Sequence, residues 1–288
     1  MTRDDPGARD AMEAPEDLPQ LDATALVETA ELEAQVKEMY RQVADEEDAE
    51  LHFETGRVLA ERLGYPGDLL DRIPAEAIDS FAGVGYHFDL AAIDEGARVL
   101  DLGSGSGTDV FFAARQVGES GGVVGVDFTP EQVRKATRLR DAAGISWAEF
   151  TKGPIDDLPF EDASFDVVIS NGVINLSPVK ARVFSEAARV LRPGGRLALA
   201  DIVSAKPLKE KTRRNTELWA ACIAGAIPRR NYAEAIEQTG LDVGTIREND
   251  YRFISDRALD ACSTYGVESV SLVAEKASAQ PGNGRSIA

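Results

Sequence analysis

Only two cysteines, two histidines and three methionines occur among the 288 residues, and no uninterrupted apolar run is long enough to cross a bilayer. Two thiols, Cys222 and Cys262, are too few for the disulfide framework of a small secreted domain and lack the paired spacing of a zinc site, so a reducing compartment is expected. The absence of a long apolar run argues against a membrane span, and the N-terminus has no basic segment followed by an apolar stretch and a small-residue cleavage site. The expected location is the cytoplasm. Basic residues are also scarce, 31 Lys and Arg against 50 Asp and Glu, for a net charge of −19. That balance gives no support for nucleic-acid binding, which wants a basic face. The acidity is uneven: residues 1–50 hold 16 acidic against 4 basic side chains, a local −12 that leaves −7 for the rest. Residues 1–22 therefore read as a disordered acidic tail, and residues 277–288 as a second tail.

With 43% hydrophobic residues the remainder has the composition of an ordinary globular core. Residues 23–94 read as an N-terminal helical cap, with Leu26, Leu32, Val36, Met39 and Tyr40 recurring near a 3.6 period between 23 and 60. From residue 95 to 205 two periods alternate. Short apolar runs at 98–102, 123–127, 148–150, 165–170 and 196–203 suit strands buried on both faces. Between most of them lie helices with readable ends. Thr129-Pro-Glu-Gln132 predicts a capping box, and Ser177-Pro178 predicts a helix start whose apolar stripe runs to Leu191 before Pro193-Gly-Gly195 breaks it. This rhythm implies right-handed crossovers and a doubly wound, mostly parallel α/β sheet. Residues 206–276 read as an α+β extension with a helix over 232–239 and strands at 243–246, 251–254 and 269–275, antiparallel additions to the sheet edge. The basic run 206–214 is read as a solvated helix face.

A parallel sheet binds ligands at the carboxyl ends of its strands. The first run ends in Asp101-Leu-Gly-Ser-Gly-Ser-Gly-Thr-Asp109. Gly103, Gly105 and Gly107 let a ligand lie against the main chain, but neither register completes the G-x-G-x-x-G of a dinucleotide site. A carboxylate followed by G-x-G-x-G instead suits a ligand with a cationic amino-acid head, as in S-adenosylmethionine. Asp127, at the end of the second run, is spaced to accept both ribose hydroxyls, with Phe128 against the adenine. Ile155 and Asp156 follow the third run and suit the base; Asn171 follows the fourth and suits the methionine half. The bland alternative for each is a helix-capping carboxylate or a simple turn.

The strings VLDLGSGSGTD, VGVDFTPEQ, IDDLPFEDASFDVVISN and VLRPGGRLALADI together resemble the successive motifs of class I methyltransferases. Within that family, SNGVINLSPVKARVFSEAARVLRPGG and LWAACIAGAI resemble the arsenite methyltransferase-like branch, over a stretch reaching about residue 276. The resemblance implies a seven-stranded Rossmann-like sheet, S-adenosyl-L-methionine as cofactor, a small-molecule methyl acceptor, and Asp101, Gly103, Gly105, Asp127, Phe128, Ile155, Asp156 and Asn171 as cofactor-holding residues. It also implies cysteines near Val84 and at Gly172, where this chain has none. Trivalent arsenic is thiophilic, and Cys222 alone cannot form a thiolate cage.

Methyl transfer needs the acceptor aligned behind the S–CH₃ bond and water excluded; a hydroxyl or carbon acid also needs a base. His87, just ahead of the core, and Cys222 are the candidate catalytic side chains, with Tyr86 and Trp219 as possible pocket walls and plain packing as the alternative for all four. A non-catalytic relative that binds the cofactor as a sensor or partner protein is the competing function.

Overall fold

The computed structural model describes residues 21–45 and 54–278, so both predicted tails, apart from residues 21–22 and 277–278, lie outside the described residues. Among the described residues five helices precede the first strand: α1 (Thr29–Asp45), α2 (Gly56–Leu63), α3 (Gly67–Leu70), α4 (Ala75–Asp79) and α5 (Phe88–Ala91). The core then runs β1 (Arg98–Leu102), α6 (Thr108–Val117), β2 (Gly122–Asp127), α7 (Pro130–Ala143), β3 (Ala148–Lys152), β4 (Phe165–Asn171), α8 (Lys180–Val190) and β5 (Leu191–Ser204). Three helices, α9 (Glu210–Arg213), α10 (Thr216–Ala220) and α11 (Arg229–Glu237), lead to β6 (Leu241–Glu248), α12 (Asp256–Tyr265) and β7 (Val267–Lys276).

The seven strands form one sheet in the order β3-β2-β1-β4-β5-β7-β6, with β7 antiparallel to β5 and β6. The order reverses between β1 and β4. Alternation along each strand divides the core: Val99, Val167 and Ile169 pack with Phe111, Phe112 and Leu139 on one face. Leu100, Leu102 and Val168 pack with Val183, Phe184 and Leu197 on the other. Each such side chain withdrawn from water contributes roughly 1.5–3 kcal/mol, which is why runs without polar alternation settle at the sheet centre. A third cluster joins Leu32 and Val36 of α1 to Trp219, Cys222 and Ile223, so the N-terminal and C-terminal segments meet above the strand tips.

Four local expectations change. The helical pattern over 23–60 resolves into α1 and α2, with residues 46–53 outside the described part. Residues 251–254 form no strand; Tyr251 and Phe253 instead meet edge-to-face, ring centroids 5.1 Å apart. The helix read from Ser177-Pro178 starts at Lys180, and the residues after it, Pro193-Gly-Gly195 included, belong to β5. The capping box is not made: the Thr129 hydroxyl forms no cap bond, and the Gln132 amide donates to the Tyr40 carbonyl at 2.9 Å while its oxygen accepts from the Ser106 hydroxyl. Tertiary partners here outcompete the local bond that Thr129 and Gln132 could have shared.

Candidate active site

The tips of β1, β2 and β4 open onto a cleft made of two cavities that share Val36, Gly103, Phe128, Val173 and Leu176. The smaller, about 80 Å³, holds Asp101, Asp109 and Asp127 on the sheet side and residues 80–83 opposite. The larger, about 290 Å³, is lined by Ile155 and Asp156 after β3, by Arg182 of α8 and by the inner face of α1. Among the described residues no cluster of His, Cys, Asp and Glu has metal-holding geometry.

The glycine bend shapes the smaller cavity. Gly105 has φ +52°, and a Cβ there would meet nothing within 4 Å, so it would project into open space where a ligand can approach the main chain. The Gly105 amide donates to Asp127 at 2.9 Å, and the Thr129 amide donates to the other Asp127 oxygen at 2.8 Å, which ties the bend to the tip of β2. Gly107 sits away from the cavity, at the start of α6, where a Cβ would stand 2.7 Å from the Phe150 ring.

Three carboxylates are buried together, and among the described residues no cation is bonded to any of them. Asp101 is 2% exposed and accepts no hydrogen bond from a described residue. Burial, and then the neighbouring charges of Asp109 and Asp127, push its pKa well above the usual carboxylate range. Burial also raises Asp109, against the opposing bonds it receives from Tyr65 (2.6 Å) and Asn171 (3.1 Å). Asp127 is raised for the same reason, its two backbone bonds opposing. Asp109 was not among the residues singled out from sequence, because a carboxylate in a first helical turn has an ordinary role there.

Asn171 lines the cavity with its side chain already engaged. Its oxygen accepts from the amides of Val84 (2.7 Å) and Gly85 (3.3 Å), and its amide group donates to Gly85 O, Tyr65 Oη and Asp109 at 3.0–3.1 Å. Every donor and acceptor of the group is used, so Asn171 fastens residues 80–86 to the tip of β4 while lining the cavity where the methionine half is expected.

His87 lies outside both cavities. It is fully buried, both ring nitrogens lack partners, and the ring stacks on Phe88 at 4.7 Å. Burial takes its pKa down to about 3, so the expectation of a base over the cleft does not fit its position. Cys222 lines neither cavity but stands behind the wall, its thiol donating to Gly172 O at 3.8 Å and hydrogen-bonded to Tyr40. Burial pushes this thiol up to about 12. Trp219 is 1% exposed in the third cluster, and Tyr86 packs among Tyr65, Phe88 and Phe112. Tyr40, Gln132 and Ser80 also reach the cleft; the sequence marks Tyr40 only as part of an apolar helical period and Gln132 only as a cap, and does not single out Ser80.

The family model described as a methyltransferase domain matches residues 93–252, more than half of the chain. The chain belongs to the methyltransferase-domain family. Its seven-stranded sheet, with the antiparallel β7 beside β5, is the class I methyltransferase fold. An arsenite methyltransferase of Halobacterium salinarum is 41% identical over 199 residues, covering 68% of this chain and 51% of that protein. One from Aquipseudomonas alcaligenes is 37% identical over 198 residues, covering 66% and 57%. The crystal structure of an arsenic (III) S-adenosylmethionine methyltransferase from Chlamydomonas reinhardtii superposes with a TM-score of 0.63 at 37% identity, covering 75% of this chain and 74% of that one. This methyltransferase-family chain thus spans about half the length of the curated relatives it matches.

Proposed function

We propose that this chain is an S-adenosylmethionine-dependent methyltransferase for a small-molecule acceptor, related to the arsenite-methylating enzymes but with a thiol-poor acceptor site. The observation that carries the reading is Asp101, a buried carboxylate without a hydrogen bond from any described residue, crowded by Asp109 and Asp127 beside a side-chain-free bend. Such a group calls for a cation. The residues fit the cofactor: Asp101 for the ammonium, Gly103 and Gly105 for close approach, Asp127 and Phe128 for the ribose and adenine, Ile155 and Asp156 for the base. Asp127 oxygens that each accept one backbone amide retain a lone pair for a ribose hydroxyl.

When bound, the cofactor supplies a methyl group already activated on a sulfonium. The tasks left to the protein are alignment and exclusion of water, served by α1 and residues 80–86 on either side of the cleft. No imidazole lines the described cleft, and the Cys222 thiol stays protonated at neutral pH. These facts favour an acceptor that brings its own lone pair. Val84, Gly172 and Cys222 converge, since a Cβ at 172 would stand 3.2 Å from the Val84 side chain and Cys222 reaches Gly172 O. With one thiol at this junction, arsenite should be turned over weakly or not at all.

Calorimetric titration with S-adenosylmethionine and S-adenosylhomocysteine tests the cofactor; no binding by either would sink the reading. Methyl transfer from labelled cofactor into a metabolite pool separates an enzyme from a non-catalytic binder. An arsenite assay with added thiol tests the acceptor, and efficient turnover lost in Cys222→Ser would overturn the thiol-poor part.

A further inference from the structure

We infer that Ser80 and Lys135 receive the carboxylate of the cofactor's amino-acid head, opposite the ammonium taken by Asp101; the inference deepens the proposed function and rests on it. A zwitterionic head carries an anion into a cavity already holding three carboxylates, and that anion needs donors of its own. The glycine bend is the obvious source, since backbone amides before a helix commonly bind anions. Here the amides of four residues in the bend are committed elsewhere, which leaves those of Ser106 and Thr108. The amides of Gly103 and Ser104 donate to Val126 O at 2.8 and 3.0 Å, and that of Gly107 to Ser104 O at 2.9 Å. The amide of Gly105 goes to Asp127. On the facing wall, the amides of Val84 and Gly85 go to Asn171.

Ser80 is differently placed. It is 9% exposed, lines the same cavity as Asp101, and accepts a hydrogen bond from Lys135 Nζ at 2.6 Å. Its own hydrogen has a contact with Glu76 O only at 3.5 Å, the outer limit of such a bond, and is therefore available to a better acceptor. A hydroxyl that accepts from an ammonium is polarised toward donating, and the positive charge stands directly behind it. Lys135 is half-buried on α7, the helix that follows Asp127, so the short loop after β2 fixes this cation relative to the ribose-side carboxylate. Neither residue belongs to a strand-tip motif, which explains why sequence patterns pass over them.

The test is calorimetric titration of the full chain with S-adenosylhomocysteine, with its decarboxylated analogue and with 5′-methylthioadenosine, in wild type, Ser80→Ala, Lys135→Met and Lys135→Arg. Lys135→Met should weaken S-adenosylhomocysteine about tenfold or more and Ser80→Ala about fivefold, with Lys135→Arg retaining most of the affinity. The decarboxylated analogue and methylthioadenosine should bind every variant at least as well as wild type. Unchanged S-adenosylhomocysteine affinity in both Ser80→Ala and Lys135→Met, or equal losses for methylthioadenosine, would overturn the assignment while leaving the cofactor reading intact. A wild type that binds none of the three nucleosides would remove the cofactor reading itself, and this assignment with it.

Discussion

Asp101 and His87 are both buried ionisable side chains, and they bend the stability of the ligand-free protein in opposite directions with pH. An unfolded aspartate titrates near 3.9. Because burial raises Asp101 in the folded state, the native chain holds the extra proton above that pH, and stability falls as pH rises through the raised value. Asp101→Asn should therefore melt progressively higher than wild type as pH rises above about 4 while losing S-adenosylmethionine affinity by about tenfold or more; a melting difference that shrinks with pH would contradict the burial argument. His87 runs the other way. Its imidazole is held down to about 3, so the unfolded chain protonates first below about pH 6.5 and stability is lost as pH falls from there toward 3. His87→Leu should raise the melting temperature by about 2–4 °C at pH 5 and by less at pH 8, measured by calorimetry. Sequence position brought His87 near the core but carried no sign of which way its ring turns, since that is decided by packing against Phe88 and distant strands. The strand-tip residues were more legible, because a carboxylate before glycines advertises a ligand locally. Asn171 was legible in place and not in role, for its partners lie more than sixty residues away.

At the scale of elements, helices and strands of the core could be read from their periods, and the antiparallel additions read at 243–246 and 269–275 fall within β6 and β7. The 251–254 segment misled because Tyr, Phe and Ile favour strands by propensity, whereas here Tyr251 and Phe253 pack against each other and no ladder forms. Gln132 shows the same limit at a helix start. From sequence it belongs to a capping box; in the fold it links the glycine bend, through Ser106, to α1, through the Tyr40 carbonyl. Gln132→Leu should consequently loosen α1 and not α7. Hydrogen exchange should report faster exchange confined to residues 29–41 and a bound nucleoside leaving about tenfold faster; protection lost in α7 instead would assign Gln132 to the cap after all.

For the whole molecule, the net charge of −19 gives the protein a field that draws a cationic nucleoside toward it. Raising ionic strength from about 0.02 to 0.5 M should slow association of S-adenosylmethionine severalfold, and that of the less positive S-adenosylhomocysteine less, in stopped-flow measurements. Equal salt slopes for the two would remove the role of overall charge.

The two walls of the cleft are built to different standards of rigidity. Residues 80–86 are pinned to the sheet at Asn171, at Ser269 (2.6 Å to Val84 O) and at Ser271 (3.0 Å to Tyr86 O), whereas α1 meets α7 at the Gln132 bond to the Tyr40 carbonyl and through the attraction of Arg41 to Glu131. A doorway with a fixed jamb and a hung leaf swings one way. Nucleosides should come and go past the N-terminal helix, and an inhibitor that wedges that helix shut would trap whatever lies inside.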